Sequence, residues 1–307
     1  MDDILKSTKS TEQSKMFLSI INNLRDGVYL VDNERRIVFW NKAAEEITGY
    51  PADIIIGHHC QDNILNHIDK EGHPLCTMGC PLFNTIVDGK PRKSEVYLRH
   101  RNGYRIPVLV NILPVIYDNE VVGGIEIFTP MSGVVYEDDL VSSLSSSAMN
   151  DQLTGLPNRR HLESYINYKY QEFKKFNHSF AIVFLDIDNF SSFNNIYGHD
   201  IGDLVLKNIA SSVKLSSRSS DLIGRWGGEE FIGVYSISDS ADALIIGEKV
   251  RTLIQNTLVK TEYGELSVTA SIGVAVIQED DTVESVVKRA DDLMYKSKQN
   301  GKNRVSC

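Results

Sequence analysis

The stretch Arg225-Trp-Gly-Gly-Glu-Glu-Phe231 constrains this chain more than any other. Apolar runs flank it, Asp221 to Trp226 before and Phe231 to Tyr235 after. A glycine pair between two such runs predicts a hairpin whose two-residue turn, Gly227-Gly228, needs positive φ. Two carboxylates, Glu229 and Glu230, follow that turn at once. A second acidic pair, Asp186 and Asp188, closes the apolar run Phe180 to Leu185. Residues two apart on a strand share a face, so a strand end and a hairpin together can build a hard-cation site. Oxygen ligands, with substrate phosphates completing the shell, are what Mg²⁺ takes. The competing reading is a solvated hairpin beside a strand-capping aspartate.

A length of 307 residues favours two domains, and 42% hydrophobic with 24% charged residues lets each half bury a core. The net charge of -9 argues against non-specific nucleic-acid binding, which needs a cationic surface. No apolar run approaches a membrane span, and the polar start Met1 to Lys15 is unlike a signal peptide, so a cytoplasmic protein is expected. In that compartment four cysteines do not suggest a disulfide framework.

Residues 1–11 are polar and expected to be disordered. Met16, Phe17, Ile20, Ile21 and Leu24 then recur at helical spacing. Strands follow at Val28–Val31 and Arg36–Asn41, then a helix over Lys42–Thr48 stopped by Gly49-Tyr50-Pro51. Beyond an irregular middle come strands over Ser94–Arg99, Tyr104–Val115 and Val121–Thr129. This order, with the phrases Asp26-Gly-Val-Tyr-Leu-Val-Asp32, Ile37-Val-Phe-Trp-Asn-Lys42 and Ile47-Thr-Gly-Tyr50, resembles a PAS domain over residues 12–130. The resemblance implies an antiparallel sheet with small helices, in a module that senses and dimerises.

The irregular middle concentrates thiols and imidazoles: His58, His59, Cys60, His67, His73, Cys76 and Cys80. Cys60, Cys76 and Cys80 with one of the histidines, His67 among them, could complete a tetrahedral site for zinc or iron. A thiol redox switch is the alternative; the plainest reading is buried cysteines acting as small hydrophobes, with histidines on a solvated loop. Nothing in these residues selects a haem.

Residues 131–150 carry Val134, Val135, Leu140, Val141 and Leu144 among acids and serines, and are expected to form a helical connector. After it, Asp151-Gln-Leu-Thr-Gly-Leu-Pro-Asn-Arg-Arg160 leads into a helix over Arg159–Lys175. A strand over Phe180–Asp186, a loop, a helix from about Asp200 to Leu215, the glycine hairpin, a helix over Ala241–Thr257, a strand over Glu265–Ile277 and a helix over Thr282–Asn300 complete residues 151–307. The opening motif, Gly227-Gly-Glu-Glu-Phe231 and Ser271-Ile-Gly273 resemble blocks of the GGDEF family, the diguanylate cyclases. That resemblance implies a palm-type α/β fold and the condensation of two GTP into cyclic di-GMP.

By resemblance, Asp186 and Glu229, with the backbone carbonyl of Ile187, hold two Mg²⁺ ions per GTP site, with Mn²⁺ as a substitute, and Glu230 supports them or accepts a proton. Asn194 and Asp203 match the positions that read guanine, Gly228 belongs to the substrate-binding turn, and Lys298 and Lys302 match positions that meet the β- and γ-phosphates. Arg218 and Asp221, with Arg251, match the family's product-inhibition site. Ser191 stands where many relatives carry a lysine, which removes one phosphate cation but no metal ligand. A homodimer through the PAS domain and connector is implied, since each GGDEF domain would hold one GTP. The alternatives are a silent cyclic di-GMP receptor and a PAS metal or redox sensor acting by protein contact.

Overall fold

The computed structural model describes residues 16, 18–60, 62, 64–77, 79–131, 149–218 and 220–307; the start expected to be disordered and most of the expected connector lie outside them. The chain divides into two compact units, the first ending at Met131. Among the described residues no helix is long and apolar enough to cross a membrane.

The first unit is one antiparallel sheet: β1 (Gly27–Asp32), β2 (Ile37–Trp40), β3 (Arg92–Arg99), β4 (Arg105–Tyr117) and β5 (Glu120–Pro130), in the order β2-β1-β5-β4-β3. Short helices α1 (Lys42–Thr48), α2 (Ala52–Ile55) and α3 (Pro81–Asp88) fill the segment between β2 and β3. Asn41 organises the start. Its side chain is fully buried, accepts from the Val28 and Ala44 amides at 2.9 and 2.8 Å, and donates to the Ile21 and Asp26 carbonyls at 3.0 Å each. One amide thus caps α1 and pins the chain entering β1, with every polar group satisfied. Gly49, at φ 72°, ends α1 as the expected stop.

The second unit is built on β6 (Phe180–Ile187), buried at all eight positions. It lies between β11 (Ala270–Val276) and β8 (Glu230–Ser236), antiparallel to both, in a sheet of order β12-β11-β6-β8-β7. Here β7 is Leu222–Gly227 and β12 is Val305–Ser306; β9 (Val259–Thr261) and β10 (Gly264–Leu266) form a separate hairpin. Side chains alternate along β6. Phe180, Ile182 and Phe184 pack with α4 (Arg159–Phe176) and α8 (Val283–Gln299). Ala181, Val183 and Leu185 pack in the opposite layer, with α6 (His199–Ser216) and α7 (Ala241–Gln255).

Several elements differ from the sequence reading. The loop expected after β6 contains a helix, α5 (Phe190–Tyr197), because Phe190, Phe193 and Tyr197 share one face; Phe190 stacks on Phe193 and Phe193 meets Tyr197 at 4.8 Å. The strand expected over Glu265–Ile277 is two, β10 and β11. The terminal strand β12, parallel to β11, went unread because only two residues pair.

Helix α8 sits on β11 at backbone distance. A methyl group at Gly273 would lie 2.0 Å from the Ala290 carbonyl oxygen and 2.2 Å from the Met294 nitrogen. Ser297 Oγ donates to the Ile272 carbonyl at 2.8 Å, fixing the helix along its axis. Gly273→Ala is therefore expected to destabilise the second unit by about 1–3 kcal/mol, as overpacking against unyielding backbone does, seen as a lowered urea midpoint for its transition in the full chain.

Candidate active site

The end of β6 collects the charged groups. Asp186, in step with Phe184, falls on the α8 side of the sheet and is only 6% exposed. It pairs across the ladder with Glu230 on β8 and Ser271 on β11. Lys298, in the last turn of α8, brings Nζ to 2.7 Å from Asp186 Oδ2. The other oxygen, Oδ1, is buried without a hydrogen-bond partner. Burial pushes the Asp186 carboxyl above its ordinary value; Lys298 pulls it back, and the charges of Glu229 and Asp188 raise it again. Burial likewise raises Glu230, with Asp186 and Asp291 adding to it.

Asp188 plays a different part from the one its spacing suggested. The strand stops at Ile187, and Asp188 Oδ1 accepts from Ser271 Oγ at 2.7 Å. Its Oδ2 accepts from Thr269 Oγ1 at 2.7 Å and from the Asn303 amide at 3.0 Å. With both oxygens satisfied, Asp188 braces the segments after α8 and before β11, while Asp186 keeps an open oxygen.

The hairpin turn is also one residue later than expected. Gly228 and Glu229 form it, Gly228 at φ 51°, while Gly227 still pairs with Glu230. Glu229 is therefore held in the turn itself, and the Ile187 amide donates to its carbonyl at 3.4 Å. A register shift between Arg225 and Gly227 moves the turn. Arg225, which spacing did not single out, fastens it: Nε donates to the Gly228 carbonyl at 2.9 Å, and Nη1 meets Asp151 Oδ1 at 3.1 Å. Asp151 opens the motif ahead of α4, where its Oδ1 also accepts from the Thr154 amide and hydroxyl at 2.9 and 2.7 Å.

Asn194 lies on α5 with Oδ1 buried and unpartnered, and a methyl group at Gly202 on α6 would fall 2.0 Å from that oxygen. Asp203, next to Gly202, is exposed. The tight α5–α6 turn thus brings the regions of Asn194 and Asp203 together. Lys302, at φ 62°, reaches back to Asn189 Oδ1 just ahead of α5.

On the α7 side, Arg218, Asp221 and Lys249 line a cleft of about 190 Å³. Asp221 Oδ2 accepts from the Arg218 amide at 3.0 Å, shaping the turn that presents both residues. Arg251 does not join them. Two positions beyond Lys249, it faces elsewhere, held by Glu248 at 2.7 Å, Gln255 at 2.8 Å and Asn303 at 2.9 Å. Lys249 is the cation that the sequence reading missed, since only its side of the helix turn marks it.

In the first unit, Cys60, His67, Cys76 and Cys80 line one cavity together with Tyr29 and Glu126. Burial pushes the Cys60 thiol up, with Cys80, Glu126 and Cys76 adding to it. Glu126, on β5 directly opposite Tyr29 of β1, is raised to about 7 by burial, a hydrogen bond with Tyr29 working against it.

Residues 148–304, just over half of the chain, match the family model described as "Diguanylate cyclase, GGDEF domain". The chain belongs to the GGDEF family. Residues 25–131 match a PAS domain model. The response regulator PleD of Caulobacter vibrioides is 38% identical over 176 residues, covering 55% of this chain and 39% of PleD. Diguanylate cyclase DgcM of Escherichia coli is 30% identical over 280 residues, covering 90% of this chain and 64% of DgcM. The chain thus spans less than half the length of PleD. Among solved structures, diguanylate cyclase SiaD in complex with its activator SiaC from Pseudomonas aeruginosa matches with a TM-score of 0.51 at 36% identity, over 53% of this chain and 62% of that one. The GGDEF domain of DgcB from Caulobacter crescentus, in complex with c-di-GMP, matches with a TM-score of 0.50 at 30% identity, over 52% of this chain and 92% of that one.

Arg225 is expected to matter to both stability and activity of this GGDEF domain. Arg225→Ala removes two charge-assisted contacts and should cost about 1.5–3 kcal/mol, with a larger proportional loss in GTP turnover than Arg159→Ala on the surface of α4. Denaturant melts and product assays on the two variants check it.

Proposed function

We propose that this chain is a sensor-regulated diguanylate cyclase that condenses two GTP into cyclic di-GMP with release of two pyrophosphates. The observation that carries the reading is the open oxygen of Asp186, buried at the end of β6 among the charges of Glu229, Glu230 and Asp188. A buried carboxylate oxygen without a donor suits a hard cation, and Asp186, Glu229 and the Ile187 carbonyl are the groups that would hold Mg²⁺. Mg²⁺ there would supply Lewis-acid activation of a 3′-hydroxyl and charge neutralisation at the leaving pyrophosphate.

The chain's own residues do the rest. Asn194 and Asp203 hydrogen-bond the guanine edge, and a site built on those bonds rejects adenine by leaving polar groups unpaired. Lys298 and Lys302 meet the β- and γ-phosphates. The 3′-oxygen of one GTP bonds to the α-phosphorus of the other, the bond to the bridging oxygen breaks, and pyrophosphate leaves; Glu230, whose carboxyl is raised by burial, takes the hydroxyl proton. Two domains, each with one GTP, must face each other across a two-fold axis. Residues 12–130 form the sensor, 131–150 the connector that dimerises with it, and 151–307 the cyclase. The Arg218–Asp221 cleft, with Lys249 as its further cation, is the site for product feedback, since arginine pairs bidentately with phosphate or guanine edges.

The test is cyclic di-GMP formation by the purified full chain with GTP and Mg²⁺, using Asp186→Ala and Glu229→Ala as controls. Product from the unaltered chain and none from either variant is the expected outcome. Absence of product after bound nucleotide is stripped would sink a constitutively active cyclase and leave either a cyclic di-GMP receptor or a cyclase awaiting its sensor's signal.

The pH profile gives an independent check. The Asp186 carboxyl is raised, so it keeps its proton to a higher pH than an ordinary carboxyl, and the charged ligand form is lost as pH falls through that raised value. At limiting Mg²⁺ the acid limb of activity should lie above the ordinary carboxylate range. Lys298→Met removes the group that pulls Asp186 down, and should move that limb to still higher pH.

A further inference from the structure

We propose that the first unit binds a single tetrahedral metal ion of the zinc class through the thiolates of Cys60, Cys76 and Cys80 and the imidazole of His67. The four donors come from separate places in the chain. Cys60 follows α2, His67 precedes the bridge of Ile68 to Tyr97, Cys76 lies in a turn, and Cys80 is the residue before α3. The fold nevertheless brings all four to the wall of one cavity. That cavity measures about 20 Å³, enough for one water-sized guest. A cavity of that size suits a guest of atomic size rather than a haem or a flavin. Three thiolates and an imidazole select zinc-class ions over Mg²⁺ or Ca²⁺, and Cys₃His is an established tetrahedral set.

A second observation points the same way. Glu126 is 2% exposed, yet its Oε1 meets no hydrogen-bond donor, and His67 Nε2 stands 3.6 Å from it. A carboxylate beside a ligating histidine is the usual outer partner of such a site, orienting the ring and neutralising charge. Without a cation, the same oxygen is a costly thing to bury.

The donor atoms stand farther apart than a loaded site would hold them. Among the described residues, the His/Cys/Asp/Glu group with atoms within 4.8 Å of one another is Asp69, Glu71 and His73. That group is largely exposed and already serves a turn, Asp69 accepting from the amides of Glu71 and His73 and from His73 Nδ1. Loading therefore draws Cys76 and Cys80 inward. Gly79 between them, at φ 83° with open space around it, gives the backbone room to do so. Because Tyr29 and Glu126 lie opposite each other on β1 and β5, the loaded site bears on the strand that ends the unit.

The experiment uses the full chain purified under reducing conditions. Elemental analysis should return about one zinc equivalent per chain. Replacement by Co²⁺ should give thiolate-to-cobalt charge-transfer bands and intense tetrahedral d–d bands. Cys76→Ser and Cys80→Ser, in the loop, should each lose the retained zinc and these bands, whereas Cys307→Ser keeps both. Glu126→Gln should weaken Zn²⁺ affinity by about 10–100-fold. Any of three results would overturn the proposal: no retained metal with a cobalt spectrum lacking charge-transfer bands, iron accompanied by acid-labile sulfide, or an unchanged cobalt spectrum in both loop variants. None of these readouts depends on cyclase activity.

Discussion

A carboxylate buried at the end of an apolar strand is the constraint around which the second unit is arranged. Taking Asp186 out of water disfavours its charge, and one lysine offsets only part of that. The surroundings then follow. Gly273 lets α8 approach β11 at backbone distance, Ser297 sets its position along the axis, and Lys298, the next residue, reaches Asp186. From the other edge, Arg225 ties the turn carrying Glu229 to the Asp151 motif. Segments far apart in sequence thus converge on the charged groups at the end of the central strand.

Asp186 and Asp188 show how little residue type settles by itself. They are two positions apart and both nearly buried, at 6% and 5% exposure. Asp188 has its lone pairs taken by Ser271, Thr269 and the Asn303 amide, so it acts as internal mortar. Asp186 has one oxygen taken by an ammonium and one untaken, which leaves it reactive toward a cation. The end of β6 at Ile187 separates the two roles, since past it the alternation of faces no longer holds.

Most of the architecture was legible from hydrophobic pattern and turn chemistry. The Gly49 stop, the Asn158 cap of α4 and the Thr282 start of α8 carry strong local signals, and the structure has helix boundaries there. What escaped reading depended on pairing between distant segments. The hairpin turn moved by one residue because a bulge at Trp226 is a cross-strand property. β12 is too short to have a pattern, and it exists because β11 offers it a partner. Helix α5 was readable from Phe190, Phe193 and Tyr197, but the resemblance to a binding loop obscured the spacing. At the candidate sites, sequence motifs pointed to Asp186, Glu229, Arg218 and Asp221, whereas the bracing by Arg225 and the place of Lys249 needed the fold. Arg251 was assigned by resemblance, and here its side chain is held by Glu248, Gln255 and Asn303 instead.

The pairing of Lys298 with Asp186 has a thermodynamic consequence. A single ammonium shared between that carboxylate and a phosphate neutralises neither fully. On the proposed function, a divalent cation at the open oxygen of Asp186 would weaken the hold on Lys298 and free its charge for a phosphate, and a triphosphate that drew Lys298 away would leave Asp186 a better cation ligand. Each ligand would lower the cost that the other meets, so the two would bind with positive linkage, by the same factor in either order. One lysine at the end of a helix would thus couple the two ligands.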